Sequence, residues 1–424
     1  MTIDVYPLRY NRGYSIIIGG LFMSFDKVIG YSQTKRVLLP LLEMLKGEKR
    51  YGEIGAVLPH GAILRGEHNV GKTLFAKTLA EESGRPCVFS PDINITDAFT
   101  QAAPQENSIL LFDNVQQDQF STILKEMDKP ENQGVFVLAT TSNETKLSDD
   151  ILKPEHFAFA MSVPMPNLDD TEEMLNSLLK RIKASPDIDV SALAKMLSEQ
   201  PYTILQAVIN SAAMRTACAG ESCVTEKAIV DTYVCDIQSS PDSVEGLTLP
   251  DTVRTAYHEA GHVVAAELLH PGIVTLAYIR RGYACTFGKT CYYLPTVESC
   301  HMSVKRDCVI KTLAGRAITE MKFGELDTGC CRDLENAYRT VMSMVVDRCS
   351  LGFANGLAEG WDSPSEALKA QREKVVAQEM ERYYTQVKEL LAANMPFVDA
   401  VAQALLEKET LTQTDILAIQ AQLG

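Results

Sequence analysis

The run Gly66-Glu67-His68-Asn69-Val70-Gly71-Lys72-Thr73 spells G-x-x-x-x-G-K-T, and no other stretch limits the fold so narrowly. It lies between a short apolar run, Ala62-Ile63-Leu64-Arg65, and a helical one at 74–82. The pattern functions as a loop leading from a strand into a helix. Backbone N–H groups at the helix start cradle phosphates, Lys72 reaches the terminal ones, and Thr73 can hold a magnesium ion. A second apolar run, Ser108-Ile109-Leu110-Leu111-Phe112, ends in Asp113, a fitting place for a carboxylate that orients magnesium. A third covers 134–140 and ends in Thr141-Ser142-Asn143. Short apolar strands alternating with helices predict a parallel sheet covered on both faces. The candidate ATP-binding residues are therefore Gly66, Glu67, His68, Asn69, Val70, Gly71, Lys72, Thr73 and Asp113.

A second motif lies far downstream, in Tyr257-His258-Glu259-Ala260-Gly261-His262-Val263-Val264-Ala265-Ala266-Glu267-Leu268-Leu269. This run reads as one helix, and it contains H-E-x-x-H. Residues four apart share a helix face about one turn apart, so His258 and His262 can reach one metal ion. Glu259 stands beside them, placed to take a proton from a water. Zinc suits such ligands, and its catalytic sites hold three protein ligands and one open position. Two histidines on one helix can also be mere coincidence, so a third ligand matters. Glu320, Asp327, Asp333 and the vicinal pair Cys330-Cys331 are all candidates, and Asp333 could equally cap a helix. Gly261 is costly inside a helix, by about 1 kcal/mol relative to alanine. That cost predicts another chain segment passing close by as part of the site's wall.

Composition excludes several classes. A chain of 424 residues has room for two to four domains, and 46% hydrophobic with 22% charged residues is ordinary for a soluble protein. A net charge of -15 argues against a nucleic-acid binder, which normally shows a basic face. The 11 cysteines form no C-x-x-C and are odd in number, as expected of reduced thiols in a cytoplasmic protein. The apolar stretch at 14–22 is far short of a membrane span. Residues 1–22 show no periodicity and are expected to be a disordered arm, with Met23 as an alternative start. Helical spacing returns at 33–45 and dominates 172–234. A turn-rich linker, Gln238-Ser239-Ser240-Pro241-Asp242-Ser243, then suggests a boundary. Beyond the second motif, strand-like runs at 273–279 and 290–294 precede helical runs at 304–323, 333–348, 365–394 and 397–407.

A P-loop, a helical segment and then H-E-A-G-H, in that order, resemble the FtsH family of AAA zinc metalloproteases over roughly residues 23–420. Phe25 to Gly30 resembles the segment that leads into the family's ATPase. The run Leu313-Ala314-Gly315-Arg316-Ala317-Ile318-Thr319-Glu320, then Asp327-Thr328-Gly329, then Leu405-Leu406-Glu407-Lys408-Glu409-Thr410-Leu411, follow in the family's order. The resemblance implies an α/β plus α fold. A P-loop AAA α/β domain (23–166) with a helical lid (167–240) would precede a mainly helical zinc metalloprotease domain (241–424). It implies Asp333 as third zinc ligand beside His258 and His262, Glu259 as the catalytic base, an ATP and Mg2+ site, and protein or peptide substrates. It also implies a homo-hexameric ring, or a ring shared with a full-length relative.

The ATPase half departs from the family where hydrolysis is made. Asn114 stands where the family has a glutamate that polarises water, and a neutral amide cannot act as a general base. The family's P-G-R-F-D-R reads Pro154-Glu155-His156-Phe157-Ala158-Phe159, so both arginines are gone. An arginine finger supplies about three to five orders of magnitude in rate. The aromatic pore loop has no counterpart beyond Asp97-Ala98-Phe99-Thr100. Asn69 replaces a glycine, a substitution that asparagine's tolerance of left-handed backbone permits. The expectation is an endopeptidase whose nucleotide domain binds ATP and hydrolyses it weakly. The alternative is a regulatory or scaffolding subunit in a mixed ring.

Overall fold

The computed structural model describes residues 25, 27–47, 53–55, 59–91, 94–142, 145–153, 155–240, 249–280, 288–293, 301–326, 328–352 and 366–423. The expected arm at 1–22, Asn143, Pro154, linker residues 241–243 and Asp327 lie outside them. The chain divides into two compact units, Met1–Met165 and Pro166–Gly424.

In the first unit α1 (Ser32–Leu45) precedes β1 (Gly61–Arg65), α2 (Lys72–Ser83), β2 (Cys87–Ser90) and α3 (Ile95–Ala102). Then come β3 (Ile109–Phe112), α4 (Phe120–Met127), β4 (Phe136–Thr141) and β5 (Phe159–Ser162). The five strands form one parallel sheet in the order β2-β3-β4-β1-β5. β3 and β4 are buried throughout, and β1 nearly so, as continuous apolar runs require in a sheet covered on both faces. β2 and β5 are the edges, shielded only at alternate positions. Each is only four residues long and half-exposed, and the sequence reading passes over both. All strands run one way, so the loops after β1, β3 and β4 leave from a single edge. At Gly66, the first loop residue, a Cβ would lie 2.5 Å from the Val163 carbonyl oxygen.

In the second unit four helices come first: α5 (Leu168–Leu179), α6 (Val190–Met196), α7 (Tyr202–Cys218) and α8 (Glu226–Thr232). Asn167 and Asp170 form a reciprocal capping box that starts α5. The 21-residue α9 (Leu249–Leu269) carries the H-E-x-x-H. β6 (Val274–Tyr278), β7 (Lys289–Tyr292) and α10 (Met302–Phe323) follow. The unit closes with α11 (Cys331–Val345), α12 (Glu366–Ala393), α13 (Met395–Lys408), β8 (Thr410–Thr412) and α14 (Gln413–Leu423). β6 lies between β7 and β8 in a small antiparallel sheet. The last two elements are absent from the sequence reading: β8 is only three residues long, and α14 buries only Gln413 and Ile416.

The turn from α9 into β6 is set by Glu267, which is 1% exposed. Its carboxylate accepts the backbone N–H of Gly272 (2.6 Å) and of Val274 (2.8 Å). A buried carboxylate is tolerated there because two donors satisfy it. No single helix among the described residues is long and apolar enough to cross a membrane.

Candidate metal centre and nucleotide loop

The metal-site geometry begins with small residues. α9 buries Ala256, Ala260, Gly261, Ala265 and Ala266, and α10 buries Ala314, Gly315 and Ala317, so the two backbones approach closely. A Cβ at Gly261 would meet Ile318 Cγ2 at 2.6 Å and the Ala314 carbonyl oxygen at 2.7 Å. The close segment predicted from Gly261 is therefore α10. That helix does form a wall of the site, because Gly315 on it faces both histidines. A Cβ at Gly315 would lie 2.6 Å from Nε2 of His258 and from Nε2 of His262. Sequence reasoning gave Gly315 no role. A glycine inside an otherwise strong helical run was the available signal.

Against this wall the His258 and His262 Nε2 atoms stand 3.1 Å apart. Asp333 Oδ2 lies 3.2 Å from each. One donor atom from each of the three residues falls within 4.8 Å of the others, and no other such group occurs among the described residues. His262 Nδ1 is 2.8 Å from the Lys311 carbonyl oxygen. A carbonyl can only accept, so Nδ1 carries a hydrogen, and in the neutral ring it is Nε2 that offers its lone pair to a metal. Two imidazole nitrogens and one carboxylate oxygen, mutually in contact, form a donor set that zinc fits.

Asp333 comes from the first turn of α11, which begins at Cys331. It is not the helix cap, and the helix starts earlier than the sequence suggested. The other third-ligand candidates among the described residues are engaged elsewhere. Glu320 accepts hydrogen bonds from Tyr384 Oη (2.5 Å) and Lys388 Nζ (2.9 Å). Buried Cys330 has its Sγ 3.6 Å from the Arg316 guanidinium, and exposed Cys331 turns toward the Thr328 carbonyl.

Charge in the site is held by mutual support. Burial opposes ionisation of Asp333, yet the hydrogen bonds and charges of His258 and His262 keep its carboxyl well below the usual range. Burial likewise opposes a charged His262, and Asp333 and Glu259 outweigh it, so that pKa is raised. Glu259 is 5% exposed.

The nucleotide loop has the expected form. Asn69 adopts φ 64° and Gly71 φ 93°, so asparagine does occupy left-handed backbone here. Lys72 Nζ donates to the carbonyls of Gly66 (2.9 Å) and Glu67 (2.6 Å), and burial lowers its pKa. Thr73 Oγ1 donates to Asp113 Oδ1 at 2.7 Å, which joins the two residues proposed for magnesium. Glu67, His68 and Asn69 are exposed on the loop, and Val70 anchors it in the core. Asp113 also accepts from Thr140 Oγ1 (2.6 Å).

The departures have physical consequences. His156, at a lost arginine position, is buried, with ring nitrogens 2.8 Å from the Asp150 carbonyl oxygen and 2.9 Å from Asp128 Oδ1. Phe159 opens β5. Phe99 is buried with its ring 6.0 Å from that of Phe112, so it is a core side chain.

Comparison with known proteins follows the same division. Residues 249–419 match the model of peptidase family M41, and residues 62–165 match that of the ATPase family associated with various cellular activities, AAA. ATP-dependent zinc metalloprotease FtsH 1 of Thermoanaerobacter sp. (strain X514) is 26% identical over 437 residues, covering 92% of this chain and 71% of its own length. FtsH of Caldicellulosiruptor bescii is 25% identical with the same coverage. FtsH of Thermus thermophilus is 27% identical over 444 residues, covering 92% and 69%.

Proposed function

This chain belongs to the FtsH-type family of AAA zinc metalloproteases and is a metalloendopeptidase; from that premise we propose that it cuts loosely folded proteins with little contribution from ATP hydrolysis. His258, His262 and Asp333 would hold the zinc ion. Zinc bound there supplies Lewis acidity, polarising the scissile carbonyl and acidifying the attacking water. Glu259 takes the proton of that water and hands it to the leaving amine. The helix wall at Gly315 and the Lys311 carbonyl keep the two imidazoles oriented. The observation that carries this reading is the convergence of three donor atoms beside a buried glutamate.

For the nucleotide half, the loop from Gly66 to Thr73 with Asp113 would bind ATP and Mg2+. Weak hydrolysis is inferred from Asn114, from the inward-turned His156 and from the buried Phe99. A homo-hexameric ring is the assembly we propose. The same features fit a second role, a subunit in a mixed ring whose neighbours supply the missing arginines. We assign the chain itself to the cytoplasm.

Casein cleavage with and without a chelator tests the central claim. Zinc near one per chain is expected, and Glu259→Gln should slow turnover by about a hundredfold or more with zinc retained. A zinc-free protein, or unchanged turnover in that variant, would sink the peptidase reading. Activity that emerges only on mixing with a full-length relative would favour the subunit role.

A further inference from the structure

We propose that Thr290, on β7, is the positioning residue that fixes the Glu259 carboxylate for proton transfer. The inference rests on Glu259 acting as general base. Thr290 Oγ1 donates to Glu259 Oε2 at 2.7 Å. The other oxygen, Oε1, is treated differently: a Cβ at Gly288 would lie 2.7 Å from it and 2.9 Å from Glu259 Cγ. Gly288, just before β7, and Thr290, on it, therefore divide the carboxylate. One oxygen is held by a hydroxyl, and the other keeps its space because its neighbour has no side chain.

That division suits a base. A glutamate has three side-chain torsions, and an unanchored one samples orientations in which neither oxygen faces the water. Anchoring Oε2 limits the carboxylate to one plane and leaves Oε1 as the proton acceptor. Threonine suits the task because its donor hydroxyl rides on a β-branched carbon with few rotamers, and strand backbone favours that branching.

The strand that carries Thr290 is itself held in place. β7 pairs antiparallel with β6, with Thr290 opposite Ala277 and Lys289 opposite Tyr278. Lys289 Nζ donates to Gln238 Oε1 at 2.6 Å. β6 in turn is pinned at its start by the Glu267 carboxylate. Placement of the base thus passes from α9 through the small sheet and back to α9.

Thr290→Val removes the donor and keeps the shape, and Thr290→Ser keeps the donor. On a fluorogenic peptide, Thr290→Val should lower kcat by about tenfold with KM and zinc content unchanged. Thr290→Ser should stay within about threefold of the parent. Thr290→Ala repeats the loss of the hydroxyl, so a folding defect in one variant leaves the other to decide. Wild-type kcat in Thr290→Val or Thr290→Ala overturns the proposal, as does a Thr290→Ser loss as large as that of Thr290→Val. The double variant with Glu259→Gln separates the two readings. If Glu259→Gln is itself inactive, adding Thr290→Val should cost nothing further. If Glu259→Gln remains active, the base assignment has failed, whatever Thr290 does.

Discussion

At Gly315 a hydrogen stands where any other residue would place a carbon 2.6 Å from the Nε2 atoms of His258 and His262. The lone pairs that face a metal are on those same nitrogens, so the glycine serves the site and not the helix. Alanine would improve helix propensity by about 1 kcal/mol, and on stability alone it would be the better residue. Gly315→Ala is therefore expected to keep the helical circular dichroism of the parent while binding zinc at least about tenfold more weakly. Full zinc occupancy by elemental analysis, with normal casein cleavage, would remove this role. His258, Glu259 and His262 were legible because i and i+4 spacing is a local property of helices. Gly315 was not, because its importance lies in what it leaves empty for residues on another helix.

At the scale of elements, α10 is held on one side by α9 and on the other by α12. Glu320 makes the second connection through Tyr384 and Lys388, which answers the sequence-level possibility that it is a metal ligand. The Tyr384 hydrogen bond, then that of Lys388, lowers the Glu320 pKa, and the Tyr384 pKa is raised in return, mainly by burial. A carboxylate with a depressed folded-state pKa adds stability in full above its unfolded pKa, near 4.5. That contribution is lost as pH falls through the lower folded-state value. The side chains of Glu320 and Lys388 are about one-third exposed, so solvent screens the pair and the effect is small. Glu320→Gln should lower Tm by about 1–3 °C at pH 7, and the deficit should close as pH falls below about 4. An equal deficit at both ends of a pH series of thermal melts would contradict this account. Element boundaries shifted from the sequence reading, by eight residues at the start of α9 and by two at α11, where the earlier start moves Asp333 off the cap.

For the whole molecule, the proposal separates a complete protease site from a reduced motor. Short-peptide cleavage should proceed without nucleotide and be unaffected by Lys72→Ala, while that variant binds ATP about tenfold more weakly or worse. A stably folded substrate should resist cleavage even with ATP and Mg2+, as followed by gel. Brisk magnesium-dependent ATP turnover that vanishes in Lys72→Ala would overturn the motor half of the proposal. The sequence by itself determined whatever depends on neighbours along the chain: the phosphate loop between strand and helix, and two histidines and a glutamate on one helical face. It also exposed the missing arginines, since an absent side chain needs no coordinates. Its resemblance to a family singled out Asp333 from several acidic and thiol candidates, a choice that spacing left open. Only the tertiary structure brought Asp333 to histidines 71 and 75 positions earlier. It also turned His156 and Phe99 inward, opened Gly315 to the imidazoles and set Thr290 against Glu259. The reason is physical: helical spacing is fixed by the backbone, whereas contacts between distant segments are decided by how those segments pack.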